Sequence, residues 1–296
     1  MSRRQGTGDV GEAVAVHQLA GGDHACLTFS DPDERLDLVA EFIAGGLGAG
    51  QRVIWFTESI PLADVAAQLS ARQIPVAEAM EIGQLAAFSA SHSWLSDGRA
   101  DGERMMSRIS GDLERALRDG FAGLRVTADM RWATAPVVAA EQLLAFEKQA
   151  SLGPGSDRLT VMCQYDREVF DSVTLGFAAD THAKTVAAEA YYDTALLRIC
   201  RQYRPPGIRI AGEIDCSHLV PLQQALAEAL RLDETIYVNL YKLQFIDVTA
   251  ATAIAKAALN LPPEREMIVE CSEMVATVLE AVGASQVPQL RIRTKP

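Results

Sequence analysis

Along roughly the first two hundred residues, short apolar runs alternate with amphipathic stretches, and this order restricts the chain to a strand–helix–strand architecture. Ala25–Phe29, Arg52–Thr57, Leu124–Ala128 and Leu159–Tyr165 read as buried strands. Asp31-Pro32-Asp33-Glu34 opens a helix. The Asp31 side chain can accept from free amides, Pro32 suits the first turn, and the acids complement the positive helix end. Leu36, Val39, Ala40 and Ile43 supply its buried stripe, and Gly45, Gly46, Gly48 and Gly50 are expected to end it. Further helices are expected over 61–69, up to Arg118, and over 136–150. Strands separated by helices pair in parallel, so a mainly parallel α/β sheet is expected.

A chain of 296 residues has room for two domains. Ala187–Arg201 reads as a connecting helix, and Arg204-Pro205-Pro206-Gly207 as the linker that stops it. The expected division is therefore a flexible tail over 1–16, a first domain over 17–203 and a second over 204–296. In the second, strands are expected at Ile208–Ala211, Thr235–Leu240 and Met267–Val269, with helices over 219–230, 249–259 and 274–282.

Charge and cysteine usage narrow the function classes. Asp plus Glu outnumber Lys plus Arg by 39 to 27, a net charge of -12 that repels nucleic-acid backbones. Arg291, Arg293 and Lys295 read as a solvated cationic tail. No apolar run reaches the ~18–20 residues of a membrane helix, and Met1–Gly11 lacks the apolar core of a secretory signal. The five cysteines contain no CxxC pair, which argues for a reducing cytoplasm and against a disulfide framework.

Two places carry candidate chemistry. In Leu240–Ala250, a strand runs through a turn into a helix, with Asp247 and Thr249 at the helix start. A hydroxyl there can cap free amides; phosphorylated, it would add about two negative charges. Gly212 permits a tight bend, and Asp215 follows it at a strand-to-helix loop, so Asp215 and Asp247 could meet at one sheet end.

The second place is the N-terminal strand ends. His24 and Cys26 share one strand face, as do Cys163 and Tyr165, while Asp129 and Trp132 end a third strand. Neighbouring strands would collect these groups, with His182 and Glu58, around a small-molecule pocket. His24, Cys26, Cys163 and His182 could also hold a metal. Taken singly, Cys26 and Cys163 read more simply as small core residues, and His24 and Tyr165 as satisfied polar groups. The expectation is thus a ligand pocket with neither metal nor cofactor. No GxxxxGK[ST] occurs, and Gly46-Leu47-Gly48-Ala49-Gly50 follows a helix rather than a strand, so a phosphate loop is not expected.

Ile210–Asp215, the helix after it, and Phe245-Ile246-Asp247-Val248-Thr249 resemble the STAS domain of anti-sigma-factor antagonists. That resemblance covers about 208–293. It implies a small sheet with helices mainly on one side, docking to an anti-sigma factor that doubles as a serine/threonine kinase, and phosphorylation of Thr249. It places the partner-binding positions at Asp215, Asp247, Val248 and Thr249. Val248 and Ala250 stand where the family has a small hydroxyl residue and Gly, and Asn239 stands where it often has Asp.

His24-Ala25-Cys26, Phe42–Leu47, Val126–Trp132 and Cys163-Gln164-Tyr165-Asp166, with His182 downstream, resemble the MEDS sensory domain over about 17–194. This implies a RecA/KaiC-like fold without a phosphate loop and the sensing of a small ligand. The combined expectation is a cytoplasmic, non-enzymatic regulator of the anti-sigma-factor antagonist type. A STAS scaffold without phosphorylation and a divergent RecA-like nucleotide-binding enzyme are the alternatives.

Overall fold

The computed structural model describes residues 12–96, 99–135, 138, 140–152 and 157–294. The chain forms two compact units that divide between Ala187 and Ala188.

The first unit runs β1 (Glu12–Val14), β2 (His24–Phe29), α1 (Pro32–Gly48), β3 (Arg52–Thr57), α2 (Leu62–Ser70), α3 (Val76–Glu81), β4 (Leu85–Ser89), α4 (Ala90–Trp94), β5 (Leu95–Ser96), β6 (Arg99–Ala100), α5 (Gly102–Arg118), β7 (Leu124–Asp129), α6 (Ala140–Leu152), β8 (Leu159–Asp166), α7 (Ser172–Thr181) and β9 (Lys184–Val186). Seven strands form one sheet in the order β1-β9-β2-β8-β7-β3-β4, and every pairing is parallel. The central strands β3 and β8 are buried at all but one end residue each and are mostly apolar, as a sheet covered on both faces requires. Asp31 caps α1 by accepting from the Asp33 amide at 2.9 Å.

Three local expectations for this unit are corrected. Glu12–Val14, assigned to a flexible tail over 1–16, pairs with β9 as an edge strand; residues 1–11 lie outside those described. Gly45 and Gly46 do not end α1 but lie within it; Gly48 is its last residue, and Gly50, at φ +67°, follows the Ala49 cap. Gly46 faces β3 so closely that a Cβ would stand 2.7 Å from Val53 Cγ2 and 2.8 Å from Arg125 Cδ. The missing side chain is what lets α1 rest on the sheet. On the same helix Leu36 is only half-buried, whereas Arg35 and Asp37 are buried, because the inward face carries a polar network.

The second unit runs β10 (Ala190–Asp193), β11 (Leu197–Gln202), β12 (Gly207–Ile214), α8 (Leu219–Leu232), β13 (Thr235–Leu240), β14 (Leu243–Ile246), α9 (Val248–Leu259), β15 (Glu266–Cys271), α10 (Glu273–Ala281) and β16 (Leu290–Thr294). Its sheet has the order β10-β11-β12-β13-β15-β16, with β14 pairing β12. β10–β11 and β11–β12 are antiparallel; the remaining pairings are parallel. Leu222, Leu226, Ile254 and Leu279 from the three helices share one core with Ile210 and Val238 of the sheet.

This changes the expected boundary. The segment read as a connecting helix over 187–201 is largely the hairpin strands β10 and β11, so the first domain ends before it rather than at 203. Arg204-Pro205-Pro206-Gly207 is no linker: it turns β11 into β12, with Gln202 Nε2 donating to Pro205 O at 2.9 Å. The Leu197–Gln202 run carries Leu197 and Ile199 toward a core and is buried along most of its length, and the turn residues beyond it close a hairpin. Arg291 and Arg293, read as a solvated tail, belong to β16 and pair with β15. Lys295 lies outside the described residues.

Gly212 does permit a tight bend. Its φ is +100°, a bulge shifts the register against β14 there, and a Cβ would lie 2.0 Å from the Leu196 backbone oxygen. Gly212→Ala is therefore expected to lower stability by about 2 kcal/mol or more, measured by chemical denaturation of the full chain. A loss below a few tenths would show that the bend relaxes freely.

Candidate functional site

β2 and β8 are neighbours in register, with Cys26 opposite Cys163. Side chains on β8 alternate between the two sheet faces, so Cys163 and Tyr165 point one way and Gln164 the other. Each face has its own polar network.

On the Cys163 face, α6 contributes Glu147, which is fully buried. One carboxylate oxygen, Oε2, lies 3.3 Å from His24 Nε2 and 3.3 Å from His182 Nε2. The other, Oε1, accepts from the Tyr165 hydroxyl. His24 Nε2 and His182 Nε2 are 3.1 Å apart, and Cys163 Sγ is 3.4 Å from His24 Nε2. His182 is the residue that ends α7. Its Nδ1 lies 2.6 Å from the Ala178 carbonyl oxygen, which can only accept, so Nδ1 carries a proton. Cys26 sits beside this group with its thiol 3.5 Å from Thr185 Oγ1 of β9.

The electrostatics follow from burial against partnership. Burial favours a neutral Glu147, but the two imidazoles outweigh it and hold the carboxyl well below the usual carboxylate range. Burial also works against a charged His182, yet Glu147 and the Ala178 carbonyl raise its pKa above the ordinary histidine value. For His24, burial wins and its pKa is lowered. Burial and the Glu147 charge push the Cys163 thiol and the Tyr165 phenol upward.

On the opposite face, Arg35 of α1 donates through Nε to Gln164 Oε1 at 2.6 Å and through Nη2 to Asp129 Oδ2 at 2.9 Å. Asp129 also accepts from the Ser59 amide and hydroxyl at 2.9 and 2.6 Å. Burial raises the Asp129 pKa, but Arg35 and these donors outweigh it and leave the carboxyl below its ordinary value. The network pins α1, β7 and the loop after β3 together.

Of the expected pocket residues, the structure unites His24, Cys163, Tyr165 and His182, with Cys26 adjacent. It separates the other three. Glu58 is half-buried and accepts from the Ser91 amide and hydroxyl at the start of α4. Asp129 belongs to the Arg35 network. Trp132 lies in a turn after β7 and packs edge-on against Trp94 and Phe146. Asp129 stands opposite Gln164 and so faces the other side of the sheet, Glu58 lies just beyond the end of β3, and Trp132 shares the apolar core beside Cys163 and Tyr165 without entering the polar cluster. Glu147 was missed. Its signal was present: Leu143, Phe146 and Ala150 form a helical apolar stripe, and Glu147 is the acid inside it.

In the second unit, Asp247 accepts from the Ala250 amide at 2.7 Å and caps α9, so the capping role considered for Thr249 falls to Asp247. Thr249 is exposed in the first turn of that helix. Asp247 Oδ2 also accepts from the Cys216 amide at 2.9 Å, which brings the Asp215 turn alongside. Asp215 itself caps that turn through the Ser217 amide and hydroxyl at 2.9 and 2.6 Å.

Residues 23–183 match the MEDS family, described as the methanogen/methylotroph, DcmR sensory domain. The chain belongs to this family. The match spans His24, Glu147, Cys163 and His182, so the buried cluster lies wholly within the MEDS domain. No curated protein matches the chain. Among solved structures, it is similar to the flagellar accessory protein FlaH of Methanocaldococcus jannaschii, at 10% identity over 63% of this chain and 80% of that one, with a TM-score of 0.44. A KaiC-like protein of Pyrococcus horikoshii OT3 is 11% identical over 65% and 79%, with a TM-score of 0.42. An uncharacterised Pyrococcus horikoshii protein, in complex with an unknown peptide, is 14% identical over 64% and 93%, with a TM-score of 0.48. No helix among the described residues is long and apolar enough to cross a membrane.

Two outcomes are expected. Asp129→Ala strands the Arg35 charge inside the unit and should cost about 3–5 kcal/mol in denaturant unfolding. Glu147→Gln should cost stability in a pH-dependent way. The lowered Glu147 pKa stabilises the fold fully above its unfolded value of ~4.3, and this is lost as pH falls through the native pKa; the raised His182 pKa stabilises it fully below ~6.5, and this is lost as pH rises through the native pKa. The difference between wild type and Glu147→Gln is therefore largest between ~4.3 and ~6.5 and shrinks on both sides. Unfolding curves at a series of pH values measure it, and a pH-independent difference would contradict it.

Proposed function

We propose that this chain is a cytoplasmic, non-enzymatic regulator. Its RecA/KaiC-like MEDS domain senses a small ligand, and its second unit acts as a STAS-like anti-sigma-factor antagonist. Membership of a sensory-domain family supports the first half, together with a buried cluster of unlike polar groups inside that domain. The second half rests on the resemblance around Asp215 and Thr249. The observation that carries it is the exposed Thr249 at the start of α9, beside the Asp215 and Asp247 turns.

The mechanism is electrostatic. With Asp247 capping the helix, the Thr249 hydroxyl is not needed for that role. A phosphoryl group there adds about two negative charges to a surface that already holds two carboxylates. Phe245 and Val248, 48% and 62% exposed, offer an apolar contact for a partner on the same surface. A docked anti-sigma factor with serine/threonine kinase activity would thus be released by its own modification. The ligand would influence docking only by binding one arrangement of the protein more tightly than another.

Thr249→Glu is expected to weaken capture of the purified kinase partner at least tenfold, while Thr249→Ala keeps capture and loses the phosphate mass. Intact-mass and pull-down measurements read both. Capture indifferent to both substitutions would favour a scaffold that is not phosphorylated. Tight ATP binding by the wild-type chain would favour the enzyme reading.

A further inference from the structure

Four side chains of the MEDS domain converge on one point from four different places in the fold: His24 on β2, Glu147 on α6, Cys163 on β8 and His182 at the end of α7. Their ligating atoms all lie within 4.8 Å of one another. We propose that this cluster binds a zinc-class divalent metal ion through His24 Nε2, His182 Nε2, Glu147 Oε2 and Cys163 Sγ.

The spacing fits such an ion. Tetrahedral zinc bonds of ~2.0–2.3 Å place two nitrogens roughly 3.3 Å apart, and a nitrogen and a sulfur about 3.6 Å apart. The corresponding separations here are 3.1 Å between the histidines, 3.4 Å from His24 to Cys163, and 3.3 Å from each histidine to Glu147. Cys163 to Glu147 is 3.9 Å. A small inward or outward shift of a few side-chain atoms completes the shell.

The orientation of the groups argues in the same direction. His182 donates from Nδ1 to the Ala178 carbonyl, so once a metal displaces any proton on Nε2 that nitrogen presents its lone pair to the centre. The Tyr165 hydroxyl occupies Glu147 Oε1 and leaves Oε2 to face the histidines. Outer partners that fix the tautomer of a histidine and the rotation of a carboxylate are the usual support of a ligand set. The mixture of imidazole, carboxylate and thiolate suits zinc and its neighbours rather than magnesium or calcium, which prefer oxygen shells. Three of the four side chains are sealed, while His24 keeps 9% exposure and gives the route from solvent. On binding, the Cys163 thiol gives its proton to water and its sulfur to the metal, and no electrons are exchanged. Four protein donors fill a tetrahedral shell, so the ion is a structural or sensed one, not a hydrolytic centre.

The site differs from the metal set considered in the sequence. Glu147 takes the place of Cys26, whose thiol lies against Thr185. The inference rests on the sensing reading only in treating the ion as part of the sensor. Zinc uptake is measured at this cluster and partner capture at Thr249, so either can fail while the other stands.

The test uses the tag-free full chain carrying Cys216→Ser, which removes the exposed thiol. Titration with zinc against a competing chelator should give one equivalent bound. Cobalt should give intense tetrahedral ligand-field bands and a thiolate charge-transfer band. Adding Cys163→Ser should abolish that band, and His182→Ala should weaken zinc binding more than a hundredfold, beyond the ten- to hundredfold expected for the orienting Tyr165→Phe. Should these core variants fold poorly by circular dichroism, X-ray absorption of the zinc-loaded parent should still report one sulfur at about 2.3 Å and three nitrogen or oxygen ligands. No uptake at micromolar zinc, an octahedral cobalt spectrum without a thiolate band, a sulfur-free shell, or binding unchanged in folded His182→Ala would each overturn the proposal.

Discussion

A carboxylate removed from water stays charged only if the interior supplies what water supplied. Glu147 is the place where the first unit meets that condition. Its partners come from β2, β8 and the end of α7, so keeping one side chain ionised fixes a helix against two strands and a second helix. The rest of the candidate site follows. His24 and His182 are close because both need that anion, and Tyr165 is turned inward because its hydroxyl has an acceptor there.

The parallel sheet divides the polar chemistry into two separate networks. Cys163 and Tyr165 look toward α6, while Gln164 between them looks toward α1 and joins Arg35 and Asp129. The Arg35 network has the features of a structural clamp: every strong donor has its acceptor within the fold, and the pair ties α1 to the strand ends. The Glu147 cluster is different in kind. It gathers several atoms that each carry a lone pair around one point, an arrangement held together by protons or by a cation.

The second unit depends on backbone rather than on charge. Gly212 bends β12 where the Leu196 backbone approaches, and beyond that bulge the strand passes from β13 to pair with β14. That change of partner leads β14 into α9, with Thr249 in its first turn. The Asp247 side chain then serves two amides, one in its own helix and one in the Asp215 turn, and so couples the two pieces of the candidate docking surface.

The strand–helix alternation of the first unit, the α1 cap at Asp31 and the strand at Thr235–Leu240 were legible in the sequence, because local periodicity and capping are written in neighbouring residues. Strand parity also set His24 with Cys26 and Cys163 with Tyr165 on shared faces, whereas His182, at the end of a helix, was joined to them only by the candidate metal set and the family resemblance. Three things were decided only by tertiary structure. Ala187–Arg201 has enough apolar residues to suit a helix, and only the edge offered by β12 makes it a hairpin. Glu58 and Trp132 lie just past strand ends and Asp129 at one, and which partners they meet there — Ser91, the Trp94–Phe146 core and Arg35 — depends on helices that no local pattern places. Glu147 is one acid in an ordinary amphipathic helix, and its meaning arises from groups far away in the chain whose approach turns a buried charge from a penalty into the centre of a site.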